Sequence, residues 1–172
     1  MIADAYEKIE STTKRLEMTD LLVDLLKNTP KEIIGKVVYL TQGRIYPDFV
    51  SLEIGVAEKL AIKALARASG SPEGKIEEDL KKTGDIGETA EKFVANKKQA
   101  TFFQKPLIVQ KVYETLDKMA KASGSGAVDL KTALLAGLLA DATAKEAKYV
   151  MRTATGNLRL GIADMTVLDA LA

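Results

Sequence analysis

From Ile2 to Leu171 the apolar residues recur every three or four positions, the spacing of a helix face. Where that rhythm breaks, a glycine, a proline or a capping residue stands at the break. Tyr6, Ile9, Thr13 and Leu16 keep the spacing, as do Leu21, Leu22, Leu25 and Leu26. Thr29-Pro30-Lys31-Glu32 has the form of an N-cap, a first-turn proline and a capping-box partner, and Gly43 would end the helix it opens. The stretch 55–70 reads as a helix stopped by Gly70. Ser71-Pro72 opens another that runs to Gly84, and Asp85 caps the next. A long helix is expected from Pro106 to a glycine stop at Gly124, then an apolar one over 128–142 that should be the most buried element. Thr143 and Glu146 form a second capping box, Gly156 stops that helix, and a last one begins near Met165. No stretch alternates with period two; "GKVVYL" (35–40) comes nearest, and the capping box before it argues for helix. The expected fold is all-α: a compact bundle of about ten short helices in one domain over 1–172, or in two pseudo-repeated lobes. Ala-Ser-Gly-Ser recurs at 68–71 and 122–125, and the echo reads either as the ordinary pairing of a C-cap glycine with an N-cap serine or as a doubled arrangement that lets two helix N-termini receive phosphates.

Composition removes several kinds of chemistry. The chain has 47% hydrophobic residues and 5% aromatic ones, which calls for an aliphatic core. It has no cysteine and no histidine, so disulfides, Cys/His zinc sites, thiol nucleophiles and histidine general bases are excluded. The lack of cysteine fits a cytosolic protein. The longest apolar run, 133–140, is far short of the roughly 20 residues a spanning helix needs, so no membrane partner is expected. Net charge is +1, yet 97–161 holds 11 basic and 5 acidic side chains, enough for one basic face.

No motif supplies an active site. "GSPEGKI" (70–76) is one residue short of a phosphate loop and has Ile76 where a hydroxyl must reach magnesium. Lys148-Tyr149 lies inside a helical pattern, without the Asp-Gly expected beside a nucleotidyl-accepting lysine. Three glycine-marked helix junctions remain, at 83–88, 122–131 and 155–161, with Lys97, Lys98, Lys121 and Lys131 nearby. Each reads either as plain caps and turns or as a phosphate seat, because a helix N-terminus presents unpaired amides and partial positive charge. Arg159, between Gly156 and Gly161, either grips a phosphate or closes the last helix by pairing with Asp164 or Asp169.

The whole chain resembles the N-terminal DNA-binding domain of ATP-dependent DNA ligases of the archaeal and eukaryotic type. "EAKYVMRTATGNLRLGIADMTVLDAL" carries the resemblance most strongly. "YEKIESTTKRLEMTDLLVDLL", "YLTQGRIYPDFVSLEIGVAEKLAIKAL", "KKTGDIGETAE" and "ASGSGAVDLKTALLAGLLADATAKEAKYVMR" follow in the same order as in that family. The resemblance implies a non-catalytic helical domain that grips nicked double-stranded DNA through phosphates and the minor groove during replication, repair and recombination. Its implied contacts are Gly84 and Gly87, then Ser123, Gly124, Ser125, Gly126 and Lys131, and finally Gly156, Asn157, Leu158, Arg159 and Gly161. At Asn157 some relatives carry a basic residue. ATP and Mg²⁺ would serve adenylation and OB-fold domains outside this chain, which alone would be inactive. A sliding clamp is the implied partner of the full enzyme, and the location cytoplasmic, or nuclear in a eukaryote. The alternative is a helical protein-interaction scaffold. A helix-hairpin-helix glycosylase fits less well, because no Lys/Asp pair accompanies "SGSGAVDLKTA".

Overall fold

A computed structural model describes residues 1–97 and 105–172. Lys98, one of the clustered lysines, lies outside the described residues. Among those described there are ten helices and no strand. They are α1 (Ile2–Glu10), α2 (Arg15–Lys27), α3 (Ile34–Thr41), α4 (Glu58–Ser69), α5 (Glu73–Thr83), α6 (Ile86–Ala95), α7 (Val109–Lys121), α8 (Ala127–Asp141), α9 (Ala144–Ala154) and α10 (Asp164–Leu171). None is long and apolar enough to cross a membrane.

Several boundaries follow from local chemistry. The Asp85 side chain accepts the Gly87 amide at 2.7 Å to open α6. Thr143 and Glu146 exchange both capping-box bonds at the start of α9. After α3 the Gly43 amide donates to the Leu40 carbonyl and the Arg44 amide to that of Tyr39. This is a Schellman closure, repeated after α9 by Gly156 and Asn157.

Other expectations are overturned by packing. Thr29 does not cap α3: its buried hydroxyl donates back to the Leu25 carbonyl at 2.7 Å and finishes α2, so residues 30–33 form a turn and α3 begins at Ile34. Leu16 is exposed, because the chain breaks between α1 and α2 and the spacing shared with Tyr6 and Ile9 does not continue across the break. The α7 helix stops at Lys121, short of Gly124, whereas α4 ends on a left-handed Gly70. The two Ala-Ser-Gly-Ser stretches therefore mark different turns. The most buried helix is α9, not α8. It buries seven residues from Ala147 to Ala154, while Val128 and Leu130 at the start of α8 stay exposed.

Two hydrophobic clusters organise the bundle. The larger gathers Leu60, Leu65, Ile76, Leu116, Leu135 and Met151 among others from α4 to α9. The smaller joins α1 and α2 to Val37, Tyr149, Leu158, Leu160 and Val167. Burying one such aliphatic side chain contributes on the order of 1.5–3 kcal/mol. The α9 helix supplies residues to both clusters, so the turn that follows it sits at their seam.

Candidate nucleic-acid interface

The seam is braced by charge. Arg152, on α9, is only 2% exposed in its side chain. Its Nε lies 3.2 and 3.1 Å from the two Asp85 carboxylate oxygens, and Nη2 also donates to Asp85. Its Nη1 pairs with Glu10 at 3.1 Å, and Glu10 also takes Lys148 at 3.1 Å and the Tyr149 hydroxyl at 2.8 Å. The guanidinium also lies 5.8 Å from the Tyr149 ring centroid. Burial alone would raise the Asp85 carboxyl, but hydrogen bonds from Arg152 and the Gly87 amide hold it below its ordinary value. Glu10 is likewise held low, against burial, by Tyr149, Lys148 and Arg152. Taking these ions out of water is offset by that pairing, although Arg152 Nη1 faces Glu10 as an ion pair without a well-formed hydrogen bond.

Gly87 belongs to this network. A Cβ there would lie 2.6 Å from Arg152 Cγ and 2.7 Å from its Nε, so the missing side chain makes room for the arginine. Gly84 is the left-handed end of α5 with nothing within 4 Å of a would-be Cβ, and its carbonyl accepts Arg159 Nη2 at 3.3 Å.

The 155–161 turn packs onto this brace. Gly156 (φ 76°), Arg159 (φ 57°) and Gly161 (φ 69°) are all left-handed, and Arg159 is the one non-glycine in that region among the described residues. A side chain there costs on the order of 1–3 kcal/mol. Leu158 and Leu160, both buried, offset it by anchoring the turn, and Leu158 presses on Gly43, where a Cβ would meet its own Cβ at 3.2 Å. Arg159 is left 54% exposed, its Nη1 3.7 Å from Asp85 Oδ2. It does not pair with Asp164 or Asp169: the former meets Gln42 and Arg44, the latter Arg15 at 2.5 Å. Asn157 and Gly161 are exposed beside it.

The third junction is linked to the others through Lys131. Gly124 and Gly126 are left-handed with nothing near a would-be Cβ, Ser123 and Ser125 are exposed, and no side chain caps α8. Lys131 donates to the Ile54 carbonyl at 2.9 Å, fastening α8 to the 43–57 segment. That segment faces Thr153–Gly156 across a groove of about 700 Å³. The 83–88 and 155–161 junctions are therefore in direct contact, and the 122–131 junction is tied to them through 43–57.

Two of the clustered lysines have other work. Lys97 donates to the Leu139 and Ala140 carbonyls at 2.9 and 2.8 Å and closes the C-terminus of α8. Lys121 pairs with Asp117 one turn away. Lys148, half of the Lys-Tyr pair, has a side chain 13% exposed and held by Glu10. Among the described residues no group of three or more carboxylates could hold a metal ion. Sequence reasoning missed Arg152, Glu10 and Arg44. Arg44 pairs with Asp48 and lines the groove.

Comparison with known proteins agrees with this arrangement of motifs. The family described as "DNA ligase N terminus" matches residues 1–172. DNA ligase 2 of Thermofilum pendens is 55% identical over 179 residues, covering 100% of this chain and 30% of that protein. DNA ligase 2 of Korarchaeum cryptofilum is 52% identical over 171 residues, covering 99% and 29% respectively. The DNA ligase of Nitrosopumilus maritimus is 49% identical over 172 residues, covering 100% and 29%. The chain thus spans less than a third of the length of these relatives. With every helix and every glycine junction inside the matched span, the chain belongs to the DNA ligase N-terminus family.

Proposed function

We propose that this chain is the non-catalytic DNA-gripping domain of an ATP-dependent DNA ligase, holding nicked duplex DNA through phosphates and the minor groove while other domains seal it in replication and repair. The observation that carries the reading is Arg159. It is an exposed arginine forced into left-handed backbone between two glycines, on a turn anchored from beneath by two leucines. Such a turn lets backbone and guanidinium approach a phosphate together. Support also comes from the uncapped α8 terminus. Contacts of this kind carry little base information, so binding is sequence-independent. ATP and Mg²⁺ belong to the chemistry of the remaining domains. The sequence of this chain has no lysine followed by Asp-Gly, among the described residues there is no carboxylate cluster suited to them, and no step of sealing is assigned to its residues.

Fluorescence anisotropy with a labelled nicked duplex tests the reading. The affinity should fall with salt, the log–log slope growing by roughly 0.9 per phosphate neutralised. Arg159→Ala should weaken binding by about 1–2 kcal/mol, as for a lost charge-assisted hydrogen bond. A flat salt response, or capture of a protein partner without any DNA binding at low salt, would instead favour an interaction scaffold. Incubation with labelled ATP and Mg²⁺ should leave the chain unlabelled; a covalent adduct on Lys148 would overturn the assignment.

A further inference from the structure

One buried carboxylate, that of Asp85, is shared by three parts of the molecule: the α6 N-terminus through the Gly87 amide, α9 through Arg152, and the 155–161 turn through Arg159. We propose that Asp85 is a positioning residue for Arg159: clamped from within by Arg152, it sets the exposed guanidinium in its outward orientation before DNA arrives. The proposal rests on the reading of this turn as a DNA contact.

Arg152 cannot be the contact itself. It is buried, and it spends Nε and Nη2 on Asp85 and Nη1 on Glu10. Asp85 is 5% exposed and held at both oxygens, so it has no freedom to swing toward a ligand. Arg159 is bound loosely, by Nη2 to the Gly84 carbonyl at 3.3 Å and by Nη1 at 3.7 Å from Asp85, which leaves donors of its planar fork for an anion. Its root is fixed by left-handed backbone and the two buried leucines, and its head is biased by the Asp85 charge at 3.7 Å and the Gly84 carbonyl. A long side chain restrained at both ends loses less freedom on binding. The carboxylate does not repel the incoming phosphate, because its charge is matched by Arg152. Within the group of Arg152, Arg159, Lys148, Asp85 and Glu10 the surplus positive charge is the one exposed at Arg159.

The test is a double-mutant cycle on nicked-duplex affinity, with side-chain NMR relaxation of the arginine Nε–H groups in the free chain. Asp85→Asn should weaken binding roughly three- to tenfold when Arg159 is present and less than twofold in the Arg159→Ala background. In the free unaltered chain the Arg159 Nε–H should be more ordered than that of the exposed Arg67 on α4, and in Asp85→Asn it should become equally mobile. An equal loss in both backgrounds, or unchanged or tighter binding by Asp85→Asn, overturns the positioning role while leaving the DNA contact standing. Failure of the unaltered chain to bind defeats the proposed function itself, and the inference with it. Should Asp85→Asn prove unfolded, the relaxation of the unaltered chain decides: mobility of Arg159 equal to that of Arg67 overturns the proposal.

Discussion

Gly156 to Gly161 and Ser123 to Gly126 are both glycine-marked helix junctions in a basic stretch of chain, yet they are held in opposite ways. The first is anchored by Leu158 and Leu160 and propped on Asp85, with the buried Arg152 and the half-buried Glu10 behind it. The second has exposed serines, no side-chain cap on α8, and exposed Val128 and Leu130 just beyond it. The brace commits one side chain to one direction. The bare terminus leaves amides and the positive end of a helix dipole open to whatever anion comes near. On the proposed reading, rigidity at one junction and availability at the other are different routes to an anionic ligand.

The largest expected effect comes from removing the brace. Arg152→Met leaves the buried Asp85 without its cation and takes one of three partners from the half-buried Glu10, and should cost on the order of 3–5 kcal/mol in urea denaturation. A loss below about 1 kcal/mol would mean that the network does not carry the seam. The same network sets an acid response. A carboxyl held low in the native state contributes stability above its unfolded value and loses it as pH falls through the native one. With Asp85 and Glu10 both held low, stability should decline on acidification below about pH 4, and Arg152→Met should flatten that decline. An acid profile identical in the two proteins would contradict the pairing.

Gly87→Ala comes next. The new Cβ would strike the middle of an arginine pinned at its head, which should cost about 1–3 kcal/mol despite the better helix propensity of alanine. Gly126→Ala meets nothing but its own φ of 84° and should cost only about 1 kcal/mol by thermal denaturation. If the two substitutions proved equally costly, the contrast between braced and bare junctions would fail. Arg159→Ala is the mildest: its loose, exposed pairing should change stability by no more than about 0.5 kcal/mol. A large drop in melting temperature would make that arginine part of the brace.

Much of the fold was legible because its punctuation is local. Asp85, the Thr143–Glu146 box, Gly43, Gly70 and Gly156 act on groups within about one helical turn, and a chain cannot place those residue types there without offering those bonds.

What the sequence by itself determined was the all-α class, most helix ends and the glycine junctions, all products of short-range hydrogen bonding and helical periodicity. Tertiary structure decided which competing local bond survived and what each junction touches. Thr29 could have capped α3, but burial at the end of α2 turned its hydroxyl to Leu25. Lys97 looked like part of a basic face and became the cap of a helix 42 residues further along the chain. Arg152 was not singled out in the sequence, and its partner Asp85 lies 67 residues away. Nothing in a local pattern encodes such a meeting, because the cost of burying a charge and the pairing that offsets it exist only once the helices have packed.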